Sequence, residues 1–195
     1  MTNDQLELTG AWIQAIGTVT AAVGASPIKK LSNDFLEDLA LIGNELQATG
    51  NAILAGTSDE GSLEQLGNAV QASGNVIEVG GYVLPLEEET QNDLFNAGNI
   101  IQAIGGSVAL SALFDGTPEV NDLYDLYGNI LQIIGNSLQA IGGNQNLSEQ
   151  ESFQLNFVGS WIQATGSVIS AIGVSKEILK DDSTVQINKP LSYPN

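Results

Sequence analysis

Polar and apolar positions along this chain recur with a seven-residue spacing. Six blocks align: GAWIQAIGTVTAAVG from Gly10, GNELQATGNAILAG from Gly43, GNAVQASGNVIEVGG from Gly67, GNIIQAIGGSVALSA from Gly98, GNILQIIGNSLQAIG from Gly128 and GSWIQATGSVISAIG from Gly159. In each block a second glycine comes seven residues after the first, at Gly17, Gly50, Gly74, Gly105, Gly135 and Gly166. A glutamine stands four residues after the first glycine every time: Gln14, Gln47, Gln71, Gln102, Gln132 and Gln163. The blocks recur about every 30 residues, with one shorter step between the second and third.

Seven residues make two helical turns, whereas positions i and i+7 of a strand point to opposite faces, so the period predicts helices. Glycine propensity alone would not decide, since glycine is poor in both elements. The boundary signals agree. Capping-box patterns stand at Thr2-x-x-Gln5, Ser62-x-x-Gln65 and Ser148-x-x-Glu151, and Thr117-Pro118-Glu119 offers a cap with proline in the first turn. Acids crowd the first turns, as at Asp34, Glu37, Glu87 to Glu89, Glu149 and Glu151, where the helix dipole favours them. The expected fold is all-α, with helices over residues 3–24, 33–56, 59–82, 87–113, 118–142 and 149–179. Short connections predict six antiparallel helices in an up-and-down repeat bundle, a ring or a layer, forming one domain over 1–180. Residues 181–195, with Pro190, Pro194 and the alternating run Val185-Gln186-Ile187-Asn188, read as an extended tail.

With the first glycine as heptad position a, polar residues fall at b and e, as in Asn129, Gln132, Asn136 and Gln139. They form one narrow stripe. Glycine at a and alanine at f (Ala15, Ala48, Ala72, Ala103, Ala164) flank it on either side. Large apolar residues such as Ile130, Leu131, Ile134, Trp161 and Ile162 occupy c, d and g, nearly opposite the stripe. Small flanks let neighbouring backbones approach closely. The expected packing role therefore falls on all twelve block glycines: Gly10, Gly17, Gly43, Gly50, Gly67, Gly74, Gly98, Gly105, Gly128, Gly135, Gly159 and Gly166. The expectation for the stripe is that it faces water while the Leu, Ile and Trp side chains form the core. In the other arrangement the heptad permits, the stripe lines a polar lumen and the apolar faces need lipid or partner protein. Trp12 and Trp161, in the nearly identical GAWIQAIG and GSWIQATG, would close a ring within one chain or pair between chains.

Charge narrows the functions. The chain of 195 residues carries 23 acids and 5 lysines, with no arginine, histidine or cysteine, for a net charge of −18. So few cations cannot build a phosphate-contacting surface, which excludes nucleic acid as a partner. The usual catalytic base, thiol nucleophile and thiolate metal ligand are all missing. Glu87 to Glu89 and the pair Asp181–Asp182 lack calcium-loop spacing, and Glu45 and Glu78 have no partner for paired-carboxylate chemistry. No catalytic, cofactor or metal residue is expected, and the protein reads as not an enzyme. The N-terminus lacks a basic segment before an apolar one, so no signal peptide is read and the default compartment is cytoplasmic. Uncharged runs at Leu8–Ile28, Leu94–Phe114, Leu126–Ser148 and Ser152–Ser175 reach membrane-spanning length. Their many Asn, Gln, Ser and Gly residues and the shortage of Lys-marked loops favour a soluble protein.

The repeated G-[NS]-x-[IVL]-Q-A-[IT]-G unit, with W-I-Q-A at both ends, resembles a bacterial family of uncharacterised repetitive proteins over most of residues 5–175. The resemblance implies a bacterial origin and a helical repeat, and carries no activity or ligand. The expected function is that of a non-enzymatic, self-associating structural or interaction protein, meeting itself or a protein partner through apolar helix faces. The alternative is a membrane-active protein that inserts into bilayers or forms a pore.

Overall fold

The computed structural model of the chain describes residues 1–114, 122–144 and 146–187. Among these the structure is all-helical, with no strand: α1 (Asn3–Gly24), α2 (Asn33–Thr57), α3 (Leu63–Val83), α4 (Glu88–Ala112), α5 (Asp122–Gly142) and α6 (Glu149–Ile187). Side-chain caps set several starts. At Thr2 the capping box is complete, with Gln5 N donating to Thr2 Oγ1 at 3.2 Å and Thr2 N donating to Gln5 Oε1 at 3.1 Å. Ser148 and Glu151 make the same reciprocal pair. Ser32 caps α2 through Phe35 N.

Three boundaries differ from the sequence expectation. Helix α3 begins at Leu63 rather than 59, because Gly61 takes a positive φ of 78° that ends any helix before it, and Ser62 then caps α3. Helix α5 is described from Asp122, and the expected cap at Thr117-Pro118-Glu119 lies outside the described residues. The tail expected from Asp181 is helical through Ile187, as no glycine or proline interrupts the chain before Pro190. Residues 188–195 lie outside the described residues.

The helices form a bundle in which each packs against its neighbours in chain order and α1 packs against α6. Packing is most extensive within three hairpins, α1 with α2, α3 with α4, and α5 with α6. Glycine lies at these contacts. A Cβ placed on Gly50 would fall 2.5 Å from Gln14 N, one on Gly67 would fall 2.5 Å from Ala109 N, and one on Gly135 would fall 2.6 Å from Gln163 N. The alanine side is used between hairpins: Ala11 and Ala15 of α1 meet Ala171 and Val174 of α6 in an apolar cluster of buried residues.

The expected orientation is overturned. The polar stripe faces inward and the large apolar residues face outward. All six repeat glutamines are buried, along with Asn44, Asn51, Asn68, Asn75, Asn99, Asn136, Ser160 and Ser167. The bulkiest fully buried side chains are Asn51, Asn75, Asn136, Thr18 and Ser167, all polar. By contrast Ile16 is 55% exposed, Ile104 54%, Val76 59%, and Trp12 and Trp161 39% each. Ring geometry gives the reason. At about 100° per residue, positions a and f lie about 140° apart with the stripe between them on the shorter arc. Neighbours in a six-membered ring meet each helix at an interior angle of about 120°, so two small flanks in contact turn the shorter arc inward. The long arc, with its Ile, Leu and Trp, is left outside.

Candidate functional site: an amide-lined interior

The inward stripe joins helices across the bundle. Gln163 Nε2 donates to Gln47 Oε1 at 2.9 Å and to Gln102 Oε1 at 3.1 Å, while its own Oε1 accepts from Gln139 Nε2 at 3.0 Å. Ser160 Oγ donates to Gln139 Oε1 at 3.0 Å. Gln102 Nε2 donates to Glu78 Oε1 at 2.5 Å. One network thus runs through α6, α5, α2, α4 and α3. A second link joins Gln14 Nε2 of α1 to Gln132 Oε1 of α5 at 3.0 Å. Thr18 and Ser167 hydroxyls meet beside it across α1 and α6. Gln71, also buried, packs its stem against Gly105. Of the six repeat glutamines, the structure joins Gln47, Gln102 and Gln163 in one network and Gln14 with Gln132 in another.

A cavity of about 720 Å³ opens at one end of the bundle. Its walls come from the C-terminal ends of α1, α3 and α5 and the N-terminal ends of α2, α4 and α6, and it reaches inward to Gln47, Gln163 and Glu78. Asn44, Asn92, Asn96, Asn99 and Asn156 add amides, and Tyr82 and Phe95 add rings whose centroids lie 4.5 Å apart. Gly81 makes room for this pair, since a Cβ there would stand 2.6 Å from Phe95 Cε1.

Glu78 is the feature that sequence reasoning sets aside. It is 7% exposed and lies in the wall of the cavity. Its bonding partners are amides, Gln102 and Asn44. None of the described lining residues is basic, and Glu37 and Glu149 stand in the same lining. A signal is present in the sequence: Glu78 occupies a stripe position, in line with Asn68, Gln71 and Asn75. Once the stripe turns inward, the acid must turn with it. Glu45, the other acid within the blocks, stays exposed on the outer face.

Among the described residues, four buried amide oxygens, on Asn51, Asn75, Asn96 and Asn136, have no protein hydrogen-bond partner, and neither does Ser170 Oγ. Among the described residues no three His, Cys, Asp or Glu side chains gather to hold a metal ion. The arrangement can bind polar groups.

The outside is the reverse. The two tryptophan blocks meet symmetrically at the α1–α6 contact, with Trp12 Nε1 donating to Ser175 Oγ and Trp161 Nε1 donating to Ser26 Oγ, both at 3.0 Å. Hydroxyls on the outer face bond back to their own helix. Thr49 donates to Glu45 O, Ser73 to Ala69 O, Ser107 to Ala103 O and Thr165 to Trp161 O. Helix α6, over Glu149–Lys180, is the one described helix long and apolar enough on average to cross a membrane.

Polar interior, apolar exterior and a closed cycle of helix contacts define a class of inside-out helical bundle. Within it the chain belongs to a family of unknown function (DUF6944), matched over residues 5–171. No curated protein and no solved structure matches the chain.

Proposed function

We propose that this is a non-enzymatic, membrane-inserting helical bundle, whose apolar belt is covered by lipid and whose amide-lined interior forms a polar compartment. The inversion of polarity carries the reading. An apolar exterior of this extent needs cover, and buried amides need one another. The helical parts of the uncharged stretches Leu8–Ile28, Leu94–Phe114, Leu126–Ser148 and Ser152–Ser175 run about 25–36 Å at helical rise, near the roughly 30 Å of hydrocarbon, with charges placed before and after each stretch. Outward hydroxyls satisfied by their own helix present no stranded donor to lipid. Two finer features belong to the proposal. Alternating helix direction is supported by descending pairs, Gly10 with Gly50 and Gly17 with Gly43. Close packing on the glycine heptad is supported by the short approaches at those same positions.

The glutamines bond to one another across the interior, so the test is insertion rather than leakage. The full chain mixed with neutral phosphatidylcholine vesicles is expected to float with them and to resist alkaline carbonate. A monodisperse monomer left in the aqueous fraction would refute the reading. One observation favours a second reading, the self-associating protein: Glu45 is exposed on the belt and would be costly in hydrocarbon. Under that reading the chain fails to float and sediments as an oligomer whose contacts cover the belt.

A further inference from the structure

The cavity has a ligand chemistry of its own, independent of what covers the belt. Its inner wall holds a carboxyl, Glu78, with amide partners and no base among the described lining residues. The acids Glu37 and Glu149 share the lining, so the field along the cavity has one sign. Asn44, Asn92, Asn96 and Asn99 add amides to the wall around it. An anion would meet like charge here, and a sugar would bring as many acceptors as donors. An ammonium group brings three donors, no acceptor and the missing positive charge. Tyr82 and Phe95 offer ring faces to a cation or to the alkyl chain behind it. The absence of a gathered carboxylate set among the described residues argues against a divalent metal in the same place.

We propose that the cavity is a binding site for a primary-amine cation, with its ammonium on Glu78, its remaining donors on the wall amides and its alkyl chain along Tyr82 and Phe95.

The probe is n-butylammonium, titrated calorimetrically into the purified full chain in neutral detergent, with n-butanol as the uncharged control. One saturable site is expected, and n-butanol gives no saturable heat. Glu78→Gln should weaken binding at least tenfold, while Glu45→Gln on the outer face should leave it unchanged. Fold is monitored by far-ultraviolet circular dichroism and tryptophan fluorescence. Should Glu78→Gln fail to fold, Asn99→Leu narrows the same cavity without touching the acid, and it too should abolish binding. Absence of saturable binding to the wild-type chain, equal binding of butanol, or unaltered affinity in folded Glu78→Gln would each overturn the assignment. Flotation with vesicles is read separately, so failure of insertion and failure of amine binding are distinguishable.

Discussion

Contacts inside the three hairpins combine close glycine approaches with side-chain bonds such as Gln139–Gln163 and Gln102–Glu78, whereas contacts between hairpins rest on side chains. Inside, the glycines of the proposed close packing pair up: a Cβ on Gly10 would fall 3.1 Å from Gly50 O, one on Gly67 2.6 Å from Gly105 O and one on Gly128 2.9 Å from Gly166 O. Between hairpins, side chains do the joining. Gln163 reaches Gln47 and Gln102, Gln14 reaches Gln132, the tryptophans reach Ser26 and Ser175, and alanines fill the α1–α6 contact. Main-chain contact without a side chain leaves no slack, whereas a hydrogen bond between side chains tolerates small shifts. The hairpins should thus behave as rigid units, and their mutual arrangement as the softer degree of freedom. Local stability tracks local contact density, which gives the difference a measurable form.

The largest expected effect lies inside the hairpins. Alanine at Gly50 places a Cβ 2.5 Å from Gln14 N, and at Gly135 2.6 Å from Gln163 N, both backbone atoms that cannot swing aside. Helix propensity gains about 1 kcal/mol, but overpacking costs about 1–3 kcal/mol or more, so the net is destabilising. Leucine should be worse than alanine at both. Gly80 is the internal control: its added Cβ meets only Leu84 Cδ1 at 3.8 Å, so Gly80→Ala should be neutral to stabilising. Denaturant unfolding of the three variants checks the signs. Stabilisation at Gly50 and Gly135 would show that the hairpins are not backbone-packed.

A middle-sized effect lies between the hairpins. Gln163→Leu removes the donor to Gln47 and Gln102 and the acceptor for Gln139. Leaving such buried groups unpaired costs about 1–3 kcal/mol. Hydrogen exchange should then rise for amides of α2, α4 and α6, the helices that Gln163 joins, before it rises in α1 and α3. Uniform loss of protection over the whole chain would contradict the rigid-hairpin picture. Trp161→Phe is milder, since it forfeits only the bond from Nε1 to Ser26 Oγ, a net of about 1 kcal/mol. A Trp161→Phe, Ser26→Ala cycle should show coupling of similar size.

Much of this is legible in the residues, and the part that is not has a specific cause. The heptad gives helices because seven residues return to one face, and Thr2, Ser32, Ser62 and Ser148 mark starts that the side-chain caps bear out. Gly61 delays the start of α3 to Leu63, which the pattern alone does not show. Orientation escapes the pattern because a single helix says which residues share a face and not which face is inside. Apolar faces turn inward by default only when water covers the rest. Gly and Ala taken as two contact flanks about 140° apart turn the Asn/Gln arc inward from sequence alone, at about 100° per residue. Glu78 then goes with it as an interior acid. The unpartnered oxygens of Asn75 and Asn96 depend on rotamers that no pattern contains.

The smallest effect concerns charge at the ends of the bundle and has two signs. Glu7 and Glu64 lie outside the uncharged stretches, and each has its pKa raised above the ordinary 4.5, mainly by burial and further by neighbouring acids. A carboxyl whose folded pKa is raised binds its proton more readily folded than unfolded. As pH falls through the raised values toward 4.5, the folded state gains protons first, so stability should rise. Glu151 works the other way: hydrogen bonds from Ser148 lower its pKa below 4.5, so what it contributes is lost as pH falls further. The unfolding midpoint should therefore climb modestly from about pH 7 to about 4.5 and turn down below it. In a Glu7→Gln, Glu64→Gln double variant the climb should shrink while the downturn remains. Because both acids lie near hairpin ends, the climb should appear without any change in exchange at the Gln163 joint. A climb that persists undiminished in the double variant would assign it to acids elsewhere in the bundle.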